Sequence, residues 1–207
     1  MKLWSDFYDL ILPDLPGCSP VMADVALRQS AIAFCEQSLA WKYEHPPISI
    51  VSGTAEYGFF PPAGALVHAV IHAELDGREL NCSTSEADIR IAGWHNQSGA
   101  PQYILGGANF LALVPKPDAR GTLTLETALK PAPSAAGIDD SLFDEYREAI
   151  IHGALARLML SPRKPYTNVQ LAQYHAQQFV IQAADAGTRA ARSHTRAPLQ
   201  TRMMRRV

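Results

Sequence analysis

The chain has 207 residues, 47% of them hydrophobic, which suits one domain with a packed core and argues against a disordered polypeptide. No apolar run approaches the roughly 18 residues of a membrane-spanning helix, and the acid-bearing start MKLWSDFYDL leads us to expect no export signal. The formal net charge of −2 hides an uneven placement: residues 1–187 carry 12 Lys+Arg against 20 Asp+Glu, whereas residues 188–207 carry six Arg and no acid, an asymmetry that points to a partner.

Residues 3–12, LWSDFYDLIL, form a short apolar element, helical or extended, ended by Pro13, Pro16 and Gly17. Ser19 reads as an N-cap with Pro20 at the first helical position. Leu27, Ala31, Phe34, Ser38 and Trp41 then recur at spacings of three and four and predict a helix over 19–42. Pro46-Pro47 stops it and imposes extended backbone.

The middle, 46–131, reads as strands. Ile48 to Val51 and Glu56 to Phe60 are short. Ala65 to Leu75 is rich in β-formers, and Asp76-Gly77 marks a tight hairpin from which Arg78 to Asn81 returns. Ser83 with Glu86 resembles a capping box and predicts a short helix over 84–91. Trp94 to Pro101 is loop. Gln102 to Leu105, Asn109 to Val114 and Thr122 to Leu129 complete about seven short strands, the signature of a small antiparallel sheet or sandwich.

Pro131 to Gly137 is a linker. Asp139 and Asp140 open a second strong helix striped by Leu142, Phe143, Tyr146, Ala149, Ile150, Gly153, Ala154 and Leu158. Gly153 costs a helix interior about 1 kcal/mol against Ala, which predicts a close helix–helix approach there. A last helix, striped by Val169, Ala172, Ala176, Phe179, Ala183 and Gly187, ends near 187. Helices so far apart in sequence must meet to bury their stripes, so the fold class is α+β: a helical bundle from the N- and C-terminal segments (19–42 and 139–187) carrying an inserted antiparallel β lobe. Residues 1–187 make the domain and 188–207 a basic tail.

Little in this chain resembles catalytic machinery. Cys18, Cys35 and Cys82 lack C-x-x-C spacing, so a disulfide framework or zinc site is not expected. His68 and His72 fall on a strand, where they share a face about 13 Å apart, too far for one ion. The acids Asp139, Asp140, Asp144, Glu145 and Glu148 suit the start of a helix. Gly106-Gly107 lacks the G-x-G-x-x-G pattern, and no G-x-S-x-G, P-loop or H-E-x-x-H occurs. We therefore read no enzyme, no cofactor and no metal. The candidate binding residues lie in the tail: Arg189, Arg192, Arg196, Arg202, Met203, Met204, Arg205 and Arg206. Arginines neutralise phosphate, yet no aromatics interleave for base stacking. Methionines among them suit docking into an irregular protein socket.

The order of parts carries a resemblance. Leu12-Pro13-Asp14-Leu15-Pro16-Gly17-Cys18-Ser19 leads into Ala31-Ile32-Ala33-Phe34-Cys35-Glu36 and Ser38 to Trp41. Leu75-Asp76-Gly77, Leu111 to Pro117 and Glu148-Ala149-Ile150-Ile151-His152-Gly153-Ala154-Leu155 follow. Over most of residues 5–187 this resembles the head-to-tail adaptor proteins of tailed bacteriophages, of the head-completion or tail-tube-A type. The resemblance implies a virion structural protein of the neck, assembled in the host cytoplasm. About twelve copies would form a homo-oligomeric ring below the portal protein, joined to tail or nozzle proteins, with the C-terminal segment reaching into the portal. DNA would pass through the channel without sequence recognition, and no membrane is involved. The alternatives are a nucleic-acid-binding protein using its basic tail, and a small hydrolase or ligand-binding module.

Overall fold

Two apolar clusters organise the chain, one built by helices and one by strands. The computed structural model describes residues 1–82, 89, 93, 97–107 and 109–192. The helix expected over 84–91 and the loop Trp94-His95-Asn96 lie almost wholly outside these residues.

The N-terminal segment is neither one helix nor one strand. A two-residue strand, β1 (Lys2–Leu3), leads through a 3-10 turn into α1 (Tyr8–Ile11) and a second 3-10 turn over Leu12–Asp14. Trp4, Phe7, Ile11 and Leu15 follow helical spacing and are all buried. α2 spans Pro20–Ser38, with the Ser19 hydroxyl accepting the Met22 amide as its N-cap. It ends three residues short of the expected Trp41. The buried Ser38 hydroxyl donates to the Phe34 carbonyl at 2.8 Å and accepts the Ala40 amide, and Leu39 turns left-handed at φ 52°. That exit frees the Trp41 carbonyl to accept the Leu129 amide, joining the helix end to the sheet.

Among the described residues the β lobe holds two small antiparallel sheets. The larger has the order β2 (Lys42–Ile50), β10 (Gly121–Pro131), β4 (Ala65–Leu75), β5 (Arg78–Glu79). The smaller joins β3 (Glu56–Gly58), β8 (Phe110–Val114) and β7 (Tyr103–Gly106). β6 (Ser98–Gly99) pairs in parallel with β9 (Lys116–Pro117), and β11 (Gly137–Ile138) pairs with β1. The seven strands read from the sequence correspond to β2, β3, β4, β5, β7, β8 and β10. The Asp76-Gly77 turn has φ values of 52° and 80°, as the hairpin reading requires, and the Asp76 carboxylate accepts the Thr122 amide at 2.8 Å. Strand β2 begins earlier than expected because Pro46 and Pro47 sit within it, at a bulge on an outer strand, where a missing N–H breaks no ladder bond. His45 fixes the bulge: its Nδ1–H donates to the Pro46 carbonyl and its Nε2 accepts the Phe60 amide, both at 2.7 Å.

The two long helices α3 (Asp140–Leu158) and α4 (Val169–Ala191) return the chain to α2. Asp139 caps α3 by accepting the Ser141 amide, and Asn168 caps α4 by accepting the Leu171 amide. Each of α2, α3 and α4 touches the other two, and all three feed one apolar cluster with Trp4, Phe7, Ile11 and Leu15. The Pro131–Gly137 linker is pinned: Trp4 Nε1 and Arg28 Nε both donate to the Ala135 carbonyl, at 2.8 and 3.0 Å. The described fold is thus α+β.

Gly153 marks a close approach of three helices. A methyl group there would collide with the Ser30 hydroxyl and lie 2.7 Å from the Phe179 ring. Ser30 cannot turn aside freely, because it is buried and donates to the Ile150 carbonyl at 2.7 Å. In an exposed helix Gly→Ala stabilises by about 1 kcal/mol; here crowding costs about 1–3 kcal/mol and reverses the sign. Gly153→Ala should therefore lower the urea unfolding midpoint, and a raised midpoint would show that the interface has room.

Candidate interaction surfaces

The arginines divide between the helix and the segment beyond it. α4 continues four residues past Gly187, because Thr188 to Ala191 contains no helix breaker and Gly187 serves packing instead. A Cβ at Gly187 would lie 3.3 Å from the Ser38 carbonyl oxygen, so the glycine lets α4 approach the end of α2. Arg189 thus stands in the last turn of α4, exposed, and Arg192 is its C-cap. Arg196, Arg202, Met203, Met204, Arg205 and Arg206 lie outside the described residues.

Arg189 faces an acid-rich cleft between α3 and α4. Asp144, Glu145, Arg147 and Glu148 line it from α3, and Gln182 and Asp185 from α4, around a volume of about 230 Å³, so acids outnumber bases there. The Arg189 guanidinium lies 5.7 Å from the centre of the Tyr146 ring. Burial, followed by the charge of Glu145, raises the Tyr146 phenol above its usual range, and Arg189 opposes the rise. A second cleft of about 370 Å³ shares Glu145 and Tyr146 and runs to Trp41, Ala190 and the Lys42–Glu126 ion pair, whose atoms are 3.1 Å apart. This surface presents carboxylates beside aromatic faces, a chemistry that receives cationic side chains. The acids at the start of α3 fulfil different tasks: Asp139 is the cap, and Asp140 accepts a hydrogen bond from the N-terminal ammonium that holds its carboxyl below the usual range.

The histidines read on β4 are not a pair. Two bulges interrupt that strand opposite Glu126/Thr127 and Ala128/Leu129, so simple alternation does not carry from His68 to His72. His72 lies 2.9 Å from Glu74 and 3.8 Å from Glu79, while His68 is exposed. Among the described residues no group of three or more His, Cys, Asp or Glu could hold a metal ion. Burial pushes the thiols of Cys35 and Cys82 up to about 12 and about 11, away from the reactive thiolate.

Two features escape a reading by motif. His152 on α3 and His175 on α4 meet with their Nδ1 atoms 2.7 Å apart, and the Tyr174 ring stands edge-on to both. One imidazole must donate the shared proton and the other accept it. Nothing in their 23-residue separation announces this contact. The second feature is the outer face of α4, where Val169, Tyr174, Val180 and Ile181 are each more than half exposed. Its lack of charge from Val169 to Ala184 is visible in the sequence, but its exposure is not.

A family model described as SU10 adaptor protein matches residues 6–202. No curated protein matches the chain.

The histidine pair sets a pH dependence. Burial and then the charge of His175 lower the His152 pKa below 6.5, against Glu148, and burial lowers that of His175, against Asp14. The folded state therefore binds fewer protons here than the unfolded one, so this contribution is complete above about pH 6.5 and falls away as pH drops toward the folded values. The melting temperature should decline between pH 7.5 and 5.5, and the His152→Gln/His175→Gln double variant should decline less steeply. Equal slopes for the two proteins would refute a role for the pair.

Proposed function

The chain belongs to the SU10 adaptor protein family, a family of phage head-to-tail adaptors, and on that premise we propose that its copies form a ring of about twelve below the portal, continuing the DNA channel and joining the tail. The observation that carries this reading is the family match over residues 6–202, nearly the whole chain. In this reading the helical segments form the bundle of the ring wall and the β lobe is an insert facing tail or nozzle proteins. Phe60 and Phe110, 65% and 45% exposed on that lobe, supply apolar anchors for such a contact.

The charge balance supports the same role. The acidic excess of residues 1–187 gives channel walls to which DNA does not adhere, since few phosphates are neutralised and few counterions released. The arginine-rich end of each copy then docks into the portal, and the ring collects these ends into one strongly positive rim. The reading is structural and not catalytic. It places the protein in the virion neck after assembly in the host cytoplasm.

Because α4 and its cap extend to Arg192, truncation after that residue spares every described element. The chain 1–192 should keep the circular dichroism and melting temperature of the full protein yet fail to co-sediment with portal rings of the same virion. Undiminished co-sedimentation would remove residues 193–207 from the docking contact.

A further inference from the structure

We infer that the outer face of α4 in one copy of this chain packs on the outer face of α2 in a second copy, a reading that deepens the ring proposed above. Val169 and Val180, 55% and 59% exposed, lie eleven residues apart on one line of α4; Tyr174 and Ile181, 51% and 53% exposed, lie seven apart on another. At about 100° per residue the positions between these lines include Gln173, Gln177 and Ala184. A helix on a protein surface ordinarily turns charged residues outward. Here no Lys, Arg, Asp or Glu occurs from Val169 to Ala184, and the charges that follow, Asp185 and Arg189, line the cleft toward α3 instead.

Charge decides what covers this face. A nucleic acid needs cations, and the face has none. A basic protein would be drawn to the neighbouring acidic cleft. A second copy carries the same acidic excess as the first, and two such bodies repel except where they meet through uncharged surface. The composition also fits the core of a protein interface, which is depleted in charge and enriched in Tyr.

α2 offers the counterpart. Val21 and Val25 are 72% and 43% exposed, and Gln29 and Ile32 continue their line without charge; Glu36, one turn further on, is neutralised by its ion pair with Lys130, and Arg28 at the edge of the line is held by the Ala135 and Pro133 carbonyls. Val21, Val25, Gln29 and Ile32 follow one helical line, as ridges-into-grooves packing against α4 requires. An α4-to-α2 contact uses two different patches and leaves each copy with one free patch of each kind. Such a contact propagates and closes into a ring, whereas an α4-to-α4 contact would stop at a dimer.

Sedimentation velocity of the full chain over a wide concentration range tests this. Wild type should associate beyond a dimer, more strongly in 0.5 M than in 0.05 M salt, because salt screens the repulsion of the bodies. Val180→Glu/Ile181→Glu and Val21→Glu/Val25→Glu should each weaken association at least tenfold while retaining wild-type circular dichroism. Mixed together, these two variants should form a one-to-one dimer and nothing larger, since the mixture contains one intact pair of patches. Wild type that stays monomeric throughout, or an α4 variant that associates like wild type, would overturn the inference. So would an α2 variant that associates like wild type, which is the α4-to-α4 outcome. None of these readouts involves the portal, so failure of portal docking leaves this contact standing, and failure here leaves docking to be judged on its own.

Discussion

Ser30, Gly153 and Phe179 bring three helices to one point. A hydroxyl from α2, a bare backbone from α3 and a ring from α4 occupy a space with no room for another methyl group. The contact matters because α2 and α3 are separated by some hundred residues of other structure. Closing so long a loop costs conformational entropy that local sequence cannot offset. The close approach, with the apolar cluster around it, holds the two ends of that loop together, and the β lobe can then be carried as a unit.

Strand β10 transmits this arrangement into the lobe. Its middle pairs with β2 on one side and β4 on the other, and Leu123 and Leu125 enter the core of the lobe. Its far end lies against α2, with Lys130 paired to Glu36 and the Leu129 amide on the Trp41 carbonyl. One strand is thus the backbone of the sheet and the seam with the helices. Trp4 and Arg28 secure the linker beyond it, so both exits from the lobe are fixed.

Periodicity made the helices legible, and where it misled, a specific contact explains the error. Trp41 continues the α2 stripe, but Ser38 bonds back to Phe34 and releases the chain first. Gly187 looks like a helix end, yet it is a close-approach glycine inside α4. Strands were legible where turn residues framed them; Pro46-Pro47 hid the first half of β2 because a bulge on an outer strand tolerates what a central strand would not. The candidate surfaces were less legible. The acids of α3 are plain in the sequence, but their facing of Asp185 and Arg189 depends on helix rotation. The contact of His152 with His175 depends on packing between helices, which no single-chain pattern encodes.

The prolines of β2 have a further consequence. A ring of the kind proposed above would hold strand edges at high local concentration, where an open edge recruits the next chain into an endless ladder. Pro46 and Pro47 remove two N–H groups from the outer strand of the larger sheet and bulge it, and β5 closes the other side with only two residues. The smaller sheet ends on strands of three and four residues. Backbone pairing between copies is thereby made poor, so in the proposed ring the contact between copies would fall to side chains.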